Sequence, residues 1–148
     1  MARAWYFTAY PEALPTLDHV ELREMPDVSL GDGQIRVRNE YLSVDPYMRG
    51  RMTNLDSYVE GFGIGEPMTG GAVGEVIESK ADGYAVGDKV MHMIGWREEA
   101  VVDTQVGPGG MGPQKLPPMN VPVQAWLHNL GLTGATAYFG LLKTAEAK

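Results

Sequence analysis

Apolar and polar residues alternate with a period of two along much of the chain, the signature of half-buried strands. Ala2 to Thr8 reads as a first, aromatic-rich strand, and Val20 and Leu22 alternate with Glu21 and Arg23 in a second. Pro26 to Gly33 is turn sequence, tightest at Gly31-Asp32-Gly33. Ile35, Val37 and Asn39 then alternate with Arg36, Arg38 and Glu40. This third strand is expected to run on through Tyr41 to Val44 and to stop before Pro46. Tyr47 to Pro67 has no clear period and is expected to be irregular; such a span inside a compact domain is often functional. Strand pattern returns from Gly70 to Glu78, from Lys89 to Ile94 after a turn at Gly87-Asp88, and from Glu98 to Val102. Gly107 to Pro113 is a loop by composition. Helical signals come late: one or two turns in Val123 to Leu130, then a longer helix over Thr133 to Lys143. Six or more short strands followed by helices predict a mainly β fold, a closed or partly closed barrel with short C-terminal helices.

Composition agrees with that picture. Among 148 residues there are 19 Gly and 10 Pro, so turns are many and long helices few. A hydrophobic share of 44% and a charged share of 21% belong to a globular chain with a real core. The net charge is -7, and Lys and Arg are scattered apart from Arg36/Arg38 and Arg49/Arg51, so no nucleic-acid partner is expected. There is no cysteine, which excludes disulfides, thiolate metal sites and thiol nucleophiles. The N-terminus has no apolar signal region, and no stretch approaches the roughly 18 apolar residues of a membrane span. A cytoplasmic protein with no membrane partner is the expectation.

Candidate chemistry is sparse. His19, His92 and His128 lack metal-ligand spacing and read as ordinary surface or core histidines. No serine sits in a nucleophile elbow. Asp45, Asp56 and Glu66 flank the irregular region and read as caps or solvated carboxylates. Gly61-Phe62-Gly63-Ile64-Gly65 is glycine-rich without being a dinucleotide fingerprint, and Gly70-Gly71-Ala72-Val73-Gly74 reads as close backbone packing in a twisted strand. The densest unusual stretch is Tyr41-Leu42-Ser43-Val44-Asp45-Pro46-Tyr47-Met48-Arg49-Gly50-Arg51-Met52. There the Tyr47 phenol offers a donor for developing oxyanion charge, or is a packed aromatic with a backbone partner. Arg49 and Arg51 either bind phosphate or pair with nearby carboxylates.

The stretch YLSVDPYMRGRM resembles the signature of the leukotriene/prostaglandin reductase branch of the medium-chain dehydrogenases/reductases. That branch includes 2-alkenal (double-bond) reductases and curcumin-type reductases. PMTGGAVGEVIES, YAVGDKVMHMIGW and GLTGATAYFGLL resemble three further stretches of the branch, in the same order, so the resemblance covers nearly the whole chain. It implies a GroES-like, partly closed β-barrel over residues 1–130. Residues 131–148 would then begin the helix that leads to a Rossmann nucleotide-binding domain missing from this sequence. It also implies zinc independence: Gly71 stands where zinc-dependent relatives place a histidine ligand, and their cysteine-rich lobe is absent.

The activity so implied is NADPH-dependent reduction of a carbon–carbon double bond conjugated to a carbonyl, with hydride added at Cβ and a proton at Cα. By the same resemblance Tyr47 lines the substrate pocket. Asn39, Asp45, Pro46 and Met48 lie near the interdomain cleft, and Thr136 lies close to the nicotinamide. Leu132 stands where many members carry Met. Met48, Met52 and Phe62 suit a small hydrophobic carbonyl substrate, with Tyr47 and the loop from Asp56 to Met68 as one pocket wall. The substrate contacts expected are therefore Tyr47, Met48 and Phe62, and the cofactor contacts Asn39, Pro46 and Thr136. A homodimer is expected of the full-length protein, and this fragment alone is expected to be inactive. The alternative is a stand-alone GroES-like binding module without catalysis. A zinc alcohol dehydrogenase is disfavoured by Gly71 and by the missing cysteines.

Overall fold

The computed structural model describes residues 1–53, 55, 60–105 and 112–147. Its strands are β1 (Arg3–Phe7), β2 (Val20–Glu24), β3 (Gln34–Leu42), β4 (Ala72–Ser79), β5 (Lys89–His92), β6 (Glu99–Asp103) and β7 (Gln114–Lys115). The first two form an antiparallel ribbon with Trp5 opposite Leu22. The others form one antiparallel sheet in the order β6-β3-β4-β5-β7.

Strand alternation builds the core. Ile35 and Val37 of β3, Val76 of β4, Val90 of β5, and Ala100 and Val102 of β6 are completely enclosed together. Along β3 and β6 the intervening residues are polar or only half-buried, as the pattern predicts. The β3–β4 register shifts at Arg36/Val37 and again at Asn39/Tyr41, which bends the strands and adds twist. Gly74 permits the closest approach there: a Cβ on it would lie 2.3 Å from the Arg38 carbonyl oxygen.

The mainly β expectation holds, and the manner of closure is now visible. The ribbon meets the sheet through single bridges, Ala4 with Arg97 and Tyr6 with Pro67, rather than through a continuous ladder. Among the described residues the strands do not close into a ring.

The structure differs from the expected pattern at a few places. Tyr47–Arg51 is a short helix, α1, where irregular chain was expected. Pro46, with φ of -56°, enters it already helical, Met48 N–H donates to the Asp45 carbonyl, and Met48 is buried. β3 ends at Leu42, short of the expected Val44, although the Ser43 N–H still reaches the Gly71 carbonyl opposite it at 2.8 Å. Leu17–His19 is a 3₁₀ turn closed by a Thr16–His19 capping box, invisible to a search for Glu or Gln at that position. β7 is only two residues long, too short to show a period.

The C-terminal helical expectation is met by a 3₁₀ turn (Val123–Leu127) and then α2 (Leu132–Tyr138), which widens into a π turn (Phe139–Thr144). Leu132, Tyr138, Phe139, Leu141 and Leu142 on it are exposed. Part of the Gly107–Pro113 loop and part of the Asp56–Met68 wall lie outside the described residues. Among the described residues no helix is long and apolar enough to cross a membrane.

Candidate functional site

The site begins where β3 runs out. Ser43 Oγ donates to Asp45 Oδ1 at 2.9 Å, which fixes the turn ahead of Pro46. α1 then sets Met48 inward, in a cluster with Phe7, Phe62 and Met68, and packs Tyr47, Met52, Trp5 and Trp96 around it. The substrate residues expected from the sequence, Tyr47, Met48 and Phe62, are therefore brought together. They differ in exposure: Met48 and Phe62 are buried core side chains, whereas Tyr47 is half-buried.

The Tyr47 hydroxyl is buried and has no hydrogen-bond partner. Burial raises its pKa first, and the Asp45 carboxylate raises it further; the Arg51 charge and the Gly71 backbone pull the other way without completing a bond to it. A phenol so placed keeps its proton at neutral pH and has a donor to give.

Arg51 closes the far side. Its guanidinium donates to the Glu60 carbonyl at 2.8 Å and the Thr69 carbonyl at 3.1 Å, and its Cζ lies 4.0 Å from the Phe62 ring centre. A groove of about 560 Å³ opens beside it, lined by Tyr10, Arg51, Thr53, Gly61, Phe62 and Thr69. Arg49 turns away, donating to the Ala13 carbonyl and leaving one buried guanidinium nitrogen without a partner.

Trp96 was not found by sequence reasoning. Its φ is +61°, which is unusual for a bulky side chain, and its indole N–H is buried without an acceptor. Its carbonyl accepts the Trp5 N–H at 2.9 Å, one of the links between ribbon and sheet. Neither feature has a signature in the sequence, because both arise from what the fold packs around the residue.

The expected cofactor residues are placed differently. Pro46 is exposed at the start of α1, and Thr136 is exposed on α2. Asn39 is half-buried, and its amide donates to the Arg97 carbonyl at 2.9 Å and, more weakly, to the Ile94 carbonyl. Its Oδ1 is 2.8 Å from His92 Nε2. His92 Nδ1 accepts the Ile94 N–H, so the ring is neutral with its proton on Nε2, donated to Asn39. Burial, and then the Arg97 charge, push the His92 pKa down to about 4. His92 is thus a core histidine, as its spacing suggested, while His19 serves a cap and His128 is exposed.

A dinucleotide would find only part of a site here. Pro46 and Thr136 are exposed, whereas the donors of Asn39 are already engaged. As for metal, no group of three or more His, Asp or Glu side chains converges among the described residues. Gly71 is enclosed between Ser43 and Leu127, where a Cβ would make ordinary contacts at 3.6 Å.

Comparison with known proteins identifies the class. Residues 3–107 match the family described as the N-terminal domain of oxidoreductase, so the chain belongs to that family. The NADPH-dependent curcumin reductase of Escherichia coli is 37% identical over 99% of this chain and 41% of its own length. The NADP(+)-dependent 2-alkenal reductase of Nicotiana tabacum is 36% identical over 97% of this chain and 40% of its own. CurA from Vibrio vulnificus superposes with a TM-score of 0.83 at 36% identity, over 96% of this chain and 40% of that one. The same protein in complex with NADPH gives a TM-score of 0.82. The chain therefore spans about two fifths of the length of these relatives.

Proposed function

We propose that this chain is the substrate-binding part of an NADPH-dependent oxidoreductase, independent of zinc, that reduces the C=C bond of α,β-unsaturated aldehydes and ketones. One observation carries it: a buried, protonated and unpartnered Tyr47 hydroxyl at the end of β3, in a chain similar to curcumin and 2-alkenal reductases. When bound, NADPH supplies the hydride that adds to Cβ, while Cα takes a proton. Pro46 and Thr136 would hold its nicotinamide end, and Asn39 braces the Ile94–Arg97 backbone nearby.

Tyr47 is the donor to the substrate carbonyl, whose oxygen gains negative charge as the double bond is reduced. Protein atoms cover that hydroxyl in this structure, so a ligand reaches it as neighbouring side chains shift. Met48 and Phe62 back the tyrosine and shape the apolar wall rather than lie open to the ligand. The same reading makes the full-length protein a cytoplasmic homodimer, which light scattering on material from its own cell tests.

The decisive experiment measures NADPH-dependent loss of a hydrophobic enone by the full-length protein and its Tyr47→Phe variant. Turnover is expected to fall by about 100-fold or more, the usual effect of removing one oxyanion donor. An unchanged kcat would sink the role given to Tyr47. Enone binding with no NADPH-dependent turnover in the unaltered protein would favour a binding module instead.

A further inference from the structure

Among the described residues, Arg51 makes no ion pair with any carboxylate, like Arg49 and Arg97 and unlike Arg3, Arg23, Arg36 and Arg38, each of which has at least one. It is also partly desolvated, and this burial is the main influence on its pKa, which it lowers. A half-buried cation without a counter-ion is costly unless its hydrogen bonds and neighbours compensate. Here the compensation comes from one stretch of chain. The carbonyls of Glu60 and Thr69 accept from two edges of the guanidinium, and the face of Phe62 lies beneath its centre. The Arg51 carbonyl in turn accepts the Phe62 N–H at 2.7 Å. Planar, multi-donor geometry is needed for all this at once, and a lysine ammonium lacks it.

Tyr47 lies four residues earlier on α1, one helical turn from Arg51. Of the two charges acting on Tyr47, Asp45 is the larger and raises its pKa, and Arg51 is the smaller and lowers it.

We propose that Arg51 is a positioning residue for the Tyr47 phenol: it ties the Glu60–Thr69 stretch to the helix that carries Tyr47, and it stands one helical turn from that residue with, among the described residues, no carboxylate paired to it. The consequence is twofold. The stretch bearing Phe62 and Met68 cannot leave α1 without breaking the two side-chain bonds and the ring contact. The positive charge favours electron density at the phenol oxygen, which offsets Asp45 and strengthens the hydrogen bond Tyr47 gives to a carbonyl. The catalytic consequence rests on the proposed role of Tyr47, whereas the coupling itself does not.

The test uses full-length protein labelled with ¹³Cζ-tyrosine, in which the Tyr47 resonance is assigned by its loss in Tyr47→Phe. In Arg51→Met the Tyr47 titration is expected to move upward by about half a unit or more. In Arg51→Lys, which keeps the charge, it should stay near that of the unaltered protein. Amide exchange at Phe62 should quicken by about tenfold in both, because both lose the planar fork. An unmoved Tyr47 titration in Arg51→Met overturns the electrostatic half, and unchanged exchange at Phe62 overturns the tie. If Arg51→Met fails to fold, Arg51→Gln, neutral but able to hydrogen-bond, takes its place with the same expected titration shift. A shifted titration together with full enone turnover by Tyr47→Phe means that the coupling is real and the role proposed for Tyr47 is wrong.

Discussion

Two hydrophobic clusters of this molecule are built on different terms. The sheet cluster of Ile35, Val37, Val76, Val90, Ala100 and Val102 is aliphatic and sealed. The α1 cluster of Phe7, Met48, Phe62 and Met68 is aromatic and thioether-rich. All three buried side-chain polar atoms found without partners among the described residues lie on α1 or on Trp96, and two of those residues, Tyr47 and Trp96, pack directly against this second cluster. It also carries the positive φ of Trp96. Unsatisfied donors and local strain both lower stability, so a fold keeps them where something other than stability is served. The sheet holds the molecule together, and the α1 region keeps donors that no described protein group takes up.

The largest expected effect breaks the sheet itself. Gly74→Val would drive a branched side chain into the Arg38 carbonyl and Val37, across the join of β3 and β4. The cooperative unfolding transition should disappear in circular dichroism; a normal melt would mean that the two strands part more easily than their packing implies. Next comes Ile35→Ala, which opens a cavity in the aliphatic cluster and should cost about 2–5 kcal/mol in denaturant unfolding. A loss below about 1 kcal/mol would show that this core is less tightly filled than the comparison holds.

The third prediction concerns pH. His92 has an ordinary pKa of 6.5 and is pushed down to about 4 in the fold. A base whose folded pKa is depressed must be neutral in the native state, so protons favour the unfolded chain. The stability is fully present above pH 6.5 and is lost as pH falls toward 4, by roughly 3 kcal/mol if His92 alone contributes. His92→Gln, which can still bond to Asn39, should flatten that slope in unfolding curves. A slope unchanged by the substitution would assign the acid sensitivity elsewhere.

The smallest effect sharpens the contrast. Tyr47→Phe removes a buried hydroxyl that has no partner, so stability should hold steady or rise by about 1 kcal/mol. Destabilisation beyond about 1 kcal/mol would mean that the hydroxyl is bonded in solution and that the α1 region is satisfied like the sheet.

Much of the framework was legible beforehand for a physical reason. Strand periodicity is local, and alternation of Ile35, Val37 and their polar neighbours can satisfy only one kind of surface. The helix at Tyr47–Arg51 was not legible, because five residues are too few to show a period, and only the burial of Met48 and the lead-in from Pro46 hold it. Of the candidate site, Tyr47, Met48 and Phe62 stood out by motif and chemistry. Trp96 and the contacts of Arg51 with Glu60, Phe62 and Thr69 did not.

By itself the sequence determined that the chain is mainly β, that thiol and disulfide chemistry are excluded, and which family it resembles. It did so because composition, period and motif order are written along the chain. The tertiary structure alone decided which of the described polar groups would lack a partner, that His92 would be neutral, and that Arg51 would donate to the Glu60 and Thr69 carbonyls over the Phe62 ring. Those properties are sums over neighbours distant in sequence: Asn39 and His92 are 53 residues apart, and Arg51 and Thr69 are 18 apart. Hydrogen-bond satisfaction and desolvation therefore exist only once the chain has closed on itself.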